Sequence, residues 1–377
     1  MTTPNPIART LNWTSIIFLF LTPLIGVGGT LWYSLVHGVQ WWQPVLFAVF
    51  YLGVGLSVTA GYHRLFSHRA YAAHPIIETL LLIAGSTAFE NSALHWSSDH
   101  RVHHKFVDTD RDPYNINKGG WWAHWLWIFY DDLPGRSFAE DADLTSNPRV
   151  MWQHKWNVTL SILFGFGLPA LVGWAMGDAL AGLLWGGFLR IFVVHHTTFF
   201  VNSLAHLYGS KPYKSDETAR DNFVVALLTN GEGYHNFHHA FPADYRNGIH
   251  WYHWDPTKWL IQSLAALKLT TGLKTVSSAS IEAARLRTAA ETLEPQLVRL
   301  TPTGREKVRA ALARAQRALE RAGENARRTL AEARADSGSL PEKFRQMRRR
   351  RYLAHLKLAR KERRRAQRLI NSLPLAA

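Results

Sequence analysis

Apolar residues in this chain come in long blocks and not in short alternations. Four blocks, at about 13–36, 43–62, 156–177 and 179–205, approach the twenty or so residues that a helix needs to cross a bilayer core. They pair into two hairpins, one turning at HGVQWWQP with no charge and the other at MGDA with one acid. Between the hairpins lie Arg64, Arg69, Arg101, Lys105, Arg111 and Lys118. Basic residues collect on the cytoplasmic side of membranes, so this segment, both termini and the region after 206 are expected there. The first block has neither a basic leader nor a small-residue cleavage site and reads as a retained helix. Trp41 and Trp42, in the first turn, read as interfacial anchors. A weaker run at 76–94, IIETLLLIAGSTAFENSAL, contains Glu78 and Glu90. It is expected as an interfacial or buried helix, because a fifth span would put the histidine-rich segments on opposite sides of the membrane. The pattern therefore predicts an all-α integral membrane protein, with four spans in two hairpins and a cytoplasmic helical cap.

Charge divides the chain differently. Of the formal net charge of +15, residues 291–377 contribute +14, with 23 Lys and Arg against 9 Asp and Glu. There the sequence becomes Ala/Arg/Glu-rich with scattered Leu, which favours helix. Two domains are expected: 1–290 in the membrane with its cap, and 291–377 as a basic helical extension. The absence of cysteine excludes disulfides, Fe–S clusters and thiolate metal sites, so a transition metal would need imidazole or oxygen ligands.

Imidazole is abundant. Of 19 histidines, 17 fall between His63 and His253. HRVHHK and HNFHH each place histidines at i, i+3 and i+4, one helix face: His100, His103 and His104 in the first, His235, His238 and His239 in the second. Each triplet reads as half of a cage. HRLFSH adds His63 and His68, five residues apart, which converge only if the helix ends or bends between them. NSLAH, at the end of the fourth block, sets Asn202 and His206 one turn apart. Nine imidazoles are too many for one ion. Nine nitrogens and a water suit two ions of five ligands each, with Fe, Zn, Cu or Ni all compatible. A neutral-ligand site at the mouth of a membrane domain fits oxidative chemistry on a lipid chain better than hydrolysis.

The segments AGYHRLFSHRAY, HRVHHK, VNSLAHLYG and GEGYHNFHH, in this order over about residues 10 to 275, resemble the membrane fatty acyl desaturases, specifically the acyl-CoA delta-9 (stearoyl-CoA) group. The resemblance implies two iron ions held by His63, His68, His100, His103, His104, His206, His235, His238 and His239, with Asn202 acting through a water. No further catalytic side chain is implied. The implied reaction uses O2 and two external electrons to remove hydrogens from adjacent methylenes of a fatty acyl thioester, giving a cis double bond and water. No flavin or pyridine-nucleotide fingerprint is present, so reductase and electron carrier, of ferredoxin, rubredoxin or cytochrome b5 type, would be separate proteins. The family's kinked acyl tunnel corresponds here to Trp96 and Thr198. A glutamine usual near that tryptophan is replaced by Glu90, a carboxylate that burial permits only if paired or protonated. The Arg-Asn pair that helps hold coenzyme A in the animal enzymes is matched by Thr14 and Ser15, which leaves the acyl carrier open among coenzyme A, carrier protein and phospholipid.

Other motifs read more plainly. DTDRDPYN lacks the glycine and closing glutamate of a calcium loop; Asp108, Asp110 and Asp112 are expected to cap the loop or orient imidazoles, as is Glu232. His195 and His196 lie too deep in the fourth span to join the same ions, and His250 and His253 read as aromatic-interface residues. Rival functions are a membrane di-iron hydroxylase and, more remotely, a histidine-rich haem electron-transfer protein, which would need facing histidine pairs inside the spans. For the basic tail, membrane lipid, an acidic electron carrier and no partner are the alternatives, and nucleic acid is not expected.

Overall fold

The computed structural model describes residues 10–131, 138–335 and 342–372; both chain ends, and 336–341 within the extension, lie outside them. It divides into two compact units: Met1–Ser210 with Thr218–Thr275, and Lys211–Glu217 with Val276–Ala377.

In the first unit, four helices are long and apolar enough to cross a membrane: Trp13–His37, Trp42–Ser67, Pro148–Ala175 and Ala179–Leu207. Leu35, Val158 and Trp174 stand exposed on them, a surface costly in water and ordinary against lipid tails. Asp178 caps the fourth span, accepting from Ala181 N, and just beyond this turn Gly173 and Gly182 bring the two backbones into contact. Trp41 is exposed, as an interfacial anchor should be, but Trp42 is not one: it is buried with Tyr33, Leu46, Ala181 and Leu184. Adjacent helical positions face about 100° apart, so two neighbouring tryptophans cannot share an environment.

The weaker apolar run forms the 12-residue helix Pro75–Ser86, about 18 Å long and too short for a span. A loop follows in which Phe89 and Asn91 take positive φ angles. Ser92 then caps the next helix, Ala93–Phe106, by accepting from His95 N. Tyr62, Leu82, Leu94 and Ile261 form the core joining these helices to the end of the second span and to Pro256–Ala266. A short antiparallel pairing, Ala72–Ala73 with Thr270–Thr271, ties the ends of this layer together.

The second unit contains the helices Ser278–Leu297, Pro302–Ala335 and Glu342–Ser372. Leu286, Leu319, Leu356 and small alanines between them form one buried cluster, and Leu293, Leu297, Leu300 and Val308 another. The long stretch of this unit starts at Val276 and not at the expected 291, because the helix capped by Ser277 runs through that point and buries residues on both sides of it. Composition changes in the middle of a packed helix, so charge misplaces the boundary.

Candidate metal centre

Four separate segments bring the nine histidines together. The second span ends in a π-helical stretch, Val58–Ser67, and His68 N donates to His63 O across five residues at 3.1 Å. This wider turn supplies the bend that convergence of His63 and His68 requires. Ala93–Phe106 carries His100, His103 and His104, the end of the fourth span carries His206, and the short helix His235–Ala240 carries the rest.

The imidazoles fall into two groups, within each of which all ligand atoms lie within 4.8 Å: His63, His68, His100, His104 and His238 in one, His103, His206, His235 and His239 in the other. Neither triplet is half of a single cage. Each contributes its first and third members to one group and its middle member to the other, since i and i+4 differ by about 40° while i+3 lies about 60° to the opposite side.

The geometry fits metal. His68 and His100 approach through Nε2 at 2.8 Å, His63 and His104 reach His238 Nε2 at 3.0 and 2.9 Å, and in the second group Nε2 separations are 3.0 to 3.3 Å. Two nitrogens at right angles and about 2.1 Å from one ion would be about 3.0 Å apart. Burial, and then the neighbouring imidazoles, hold His68, His100, His104, His235, His238 and His239 well below the usual histidine range. They are therefore neutral, the form that ligates.

Carboxylates behind the rings fix which nitrogen faces inward. Asp112 Oδ1 accepts from His103 Nδ1 at 2.9 Å. Asp108 accepts from Thr218 N and Oγ1, and Thr218 Oγ1 lies 2.7 Å from His206 Nδ1. With its own proton given to Asp108, the threonine oxygen accepts the Nδ1 proton, leaving the Nε2 lone pair free. Glu232 Oε2 lies 2.8 Å from His63 Nδ1. Its other oxygen accepts from Arg64, which also pairs with Asp255, and Asn247 donates to Glu232 at 2.6 Å. Burial would raise the Glu232 pKa, but His63 and Arg64 outweigh it and hold it down to about 2. Asp110 is exposed and stands apart from the rings; its neighbours at 108 and 112 turn inward. Thr218, Arg64 and Asn247 gave no signal in the sequence, because each acts through a partner far along the chain.

Beside the imidazoles is a cavity of about 570 Å³, within the range of small-molecule sites. Phe18, Leu19, Val58, Phe89, Val194 and Phe199 make much of its wall apolar, while Asn12, Ser15 and Asp131 line another part. Trp96, Thr198, Glu90 and Asn202 all line it, with His63, His100, His103 and His235. Trp96 stacks on His100 with centroids 5.1 Å apart and donates through Nε1 to Glu90 Oε2 at 3.2 Å. Glu90 also hydrogen-bonds Thr198, but burial dominates and pushes its pKa up to about 7. Glu90 is thus both partly paired and readily protonated.

The remaining histidines lie where a non-ligand role puts them. His195 donates to Ala88 O at 2.8 Å and lines the cavity, and His196 meets His124 at 3.0 Å. His253 stacks on Tyr234, and His250 on Tyr252.

Residues 40–270 match the family profile described as fatty acid desaturase. The chain is 43% identical over 277 residues to a probable acyl-CoA desaturase of Schizosaccharomyces pombe, covering 73% of this chain and 57% of that protein. It is 41% identical to acyl-CoA desaturase 1 of Saccharomyces cerevisiae, with 74% and 54% covered, so it spans little more than half the length of these two relatives. To stearoyl-CoA desaturase 5 of Bos taurus it is 37% identical over 289 residues, covering 73% of this chain and 83% of the bovine protein.

Proposed function

The chain belongs to the fatty acid desaturase family, and on that premise we propose that it is an oxygen-dependent acyl desaturase acting on a long-chain fatty acyl thioester, with acyl-CoA the favoured carrier and a cis double bond set at the delta-9 position. One observation carries the reading: nine imidazoles from four chain segments meet as a group of five and a group of four, beside a largely apolar cavity lined in part by Trp96 and Thr198.

In this reading the apolar wall holds the acyl chain out of water, and Trp96, Thr198 and Glu90 determine which methylenes lie against the imidazoles. In this proposal the nine histidines are the metal ligands, and Asn202, which lines the same cavity as His103 and His235, would complete the group of four through a water. Two irons bound there would supply the electron transfers that reduce O2 while two hydrogens leave adjacent methylenes. Asp112 holds the Nδ1 proton of His103, and Thr218 with Asp108 that of His206, so that neither ring can turn its lone pair away. Glu232 takes the same position behind His63. One O2, two electrons and two protons are consumed for each double bond, with two waters formed. In this reading the two electrons are supplied by an external carrier and reductase. Four spans return the chain to the side on which the first began, and the basic residues between the hairpins support the reading that this side, with the site, is cytoplasmic.

Expression in a host lacking its own desaturase, followed by chromatography of total fatty acids with double-bond location, tests the proposal. A cis monoene at delta-9 that disappears in His238→Ala is expected. A hydroxylated product would transfer the site to the hydroxylase reading, and unchanged fatty acids with intact, metal-loaded protein would overturn both.

A further inference from the structure

We propose that the outer face of the helix Glu342–Ser372 is a docking surface for the anionic headgroups of a lipid bilayer. The inference rests on the four spans and on the geometry of this helix, and is independent of the reaction catalysed.

The inner face is already occupied. Leu356, Ala359 and Ala366 are buried in the clusters of the second unit. Glu362 is buried against Arg314, and Arg360 and Arg363 both reach Glu282. On the opposite side, Arg350, Ala354, Lys357, Lys361, Arg364 and Arg368 recur at steps of four and three. At about 100° per residue they form a stripe roughly 80° wide and about 27 Å long. All six are exposed, while Glu362 faces the other way. Solvation alone would account for five aligned cations, but not for what flanks them. Met347, Leu353 and Leu358 are 39%, 50% and 43% exposed and lie along the two edges of the stripe, Leu353 on one side and Met347 and Leu358 on the other.

A long basic row with apolar side chains at its margins has the composition of a helix that lies in a membrane interface, with cations among headgroups and apolar side chains dipping toward the acyl boundary. Nucleic acid would match the charge but leave the leucines in water. A compact acidic protein, the remaining alternative, is separated from lipid by the test below. The spans also tether this helix to a bilayer, which raises the effective concentration of headgroups around it.

The test uses the full chain in lipid nanodiscs. Because the sequence has no cysteine, Ala354→Cys gives a single attachment point for an environment-sensitive fluorophore within the stripe. In discs of phosphatidylcholine with phosphatidylserine, the label is expected to shift to shorter wavelength and to be quenched by nitroxide lipids, with both effects receding as salt is raised. In discs of phosphatidylcholine alone neither should occur. Each of the five cations replaced by glutamine is expected to weaken the contact about fivefold, and circular dichroism with thermal melting verifies that these exposed positions leave the helices folded. Equal quenching in neutral and anionic discs, or quenching that survives replacement of all five cations, would overturn the proposal. So would a label that stays in water in anionic discs and shifts only when an acidic electron-carrier protein is added.

Discussion

A carboxyl group beside Trp96 and Thr198 leaves that part of the cavity wall uncharged only while it keeps its proton, and burial raises the Glu90 pKa from 4.5 to about 7. Below that value a neutral acid can donate or accept among its neighbours; above it, an anion lies against the path of an apolar chain, which is unfavourable. The sign follows directly: turnover should fall as pH rises through about 7, and Glu90→Gln should remove that fall while leaving the acidic side unchanged. Comparing product formation in the two proteins across that range, with saturating electron donor, checks it; parallel declines would assign the pH dependence elsewhere. Stability should move the same way, because the folded state retains a proton between 4.5 and about 7 that the unfolded chain has released. The contribution is fully present below 4.5 and is lost as pH rises through the folded value, so Glu90→Gln should gain in relative thermal stability toward neutral pH. The position was legible in the sequence as an acid in an apolar run. Trp96 and Thr198, six and 108 residues away, entered through the family resemblance as tunnel residues, but their contacts with this carboxyl form only in the folded cavity.

Among the elements, the hairpin of the third and fourth spans shows how small residues set a membrane interface. A Cβ added at Gly182 would lie 2.4 Å from the Pro169 carbonyl oxygen and 2.7 Å from Gly173 Cα, backbone atoms that cannot swing aside. Gly182→Leu is expected to destabilise the protein by about 1–3 kcal/mol or to prevent folding, seen as a lower melting temperature in detergent or a loss of monodisperse protein on size exclusion. Gly28→Leu, with nothing within 4 Å of its added Cβ, should have little effect on the same readout. Hydrophobic blocks foretold the spans to within a few residues at most ends, since a bilayer's thickness fixes their length. The third span starts earlier, at Pro148, because its first turns carry Gln153 and other polar residues. Gln153 is buried and donates to Tyr62 and Ser86, so this polar stretch belongs to the helix but hides from an apolar count.

For the whole molecule, the second unit owns the segment Lys211–Glu217 as well as everything after Val276. Arg285 donates to Tyr213 Oη at 2.6 Å, and Ser215 pairs with Glu291. The segment ends one residue before Thr218, which orients His206. Truncation after Thr275 should retain all nine histidines and the metal content of the full chain, measured as metal per chain by elemental analysis. Truncation after residue 290 would instead leave Leu286 and Ala289, both buried in the intact unit, without a core and should aggregate. Loss of metal in the shorter protein would mean that the Lys211–Glu217 segment must be held in place for His206 to stay seated.

By itself the sequence determined the spans and the two histidine triplets, because these depend on local periodicity and on a length set by the bilayer; it set Asn202 and His206 one turn apart, and left the convergence of His63 with His68 to a bend that the π-helical turn supplies. It also marked Asp108, Asp112 and Glu232 as carboxylates suited to orient rings, though not which ring each would meet. Helix geometry sets the middle member of each triplet off from the other two, but only the tertiary structure decided which group each would join. The sequence puts His100, His103 and His104 on one helix face, and His103 leaves the other two because Asp112 holds its Nδ1 and His239 approaches its Nε2 at 3.3 Å. That assignment rests on contacts across 9 and 136 residues, and no periodicity within a single helix encodes a distance to another.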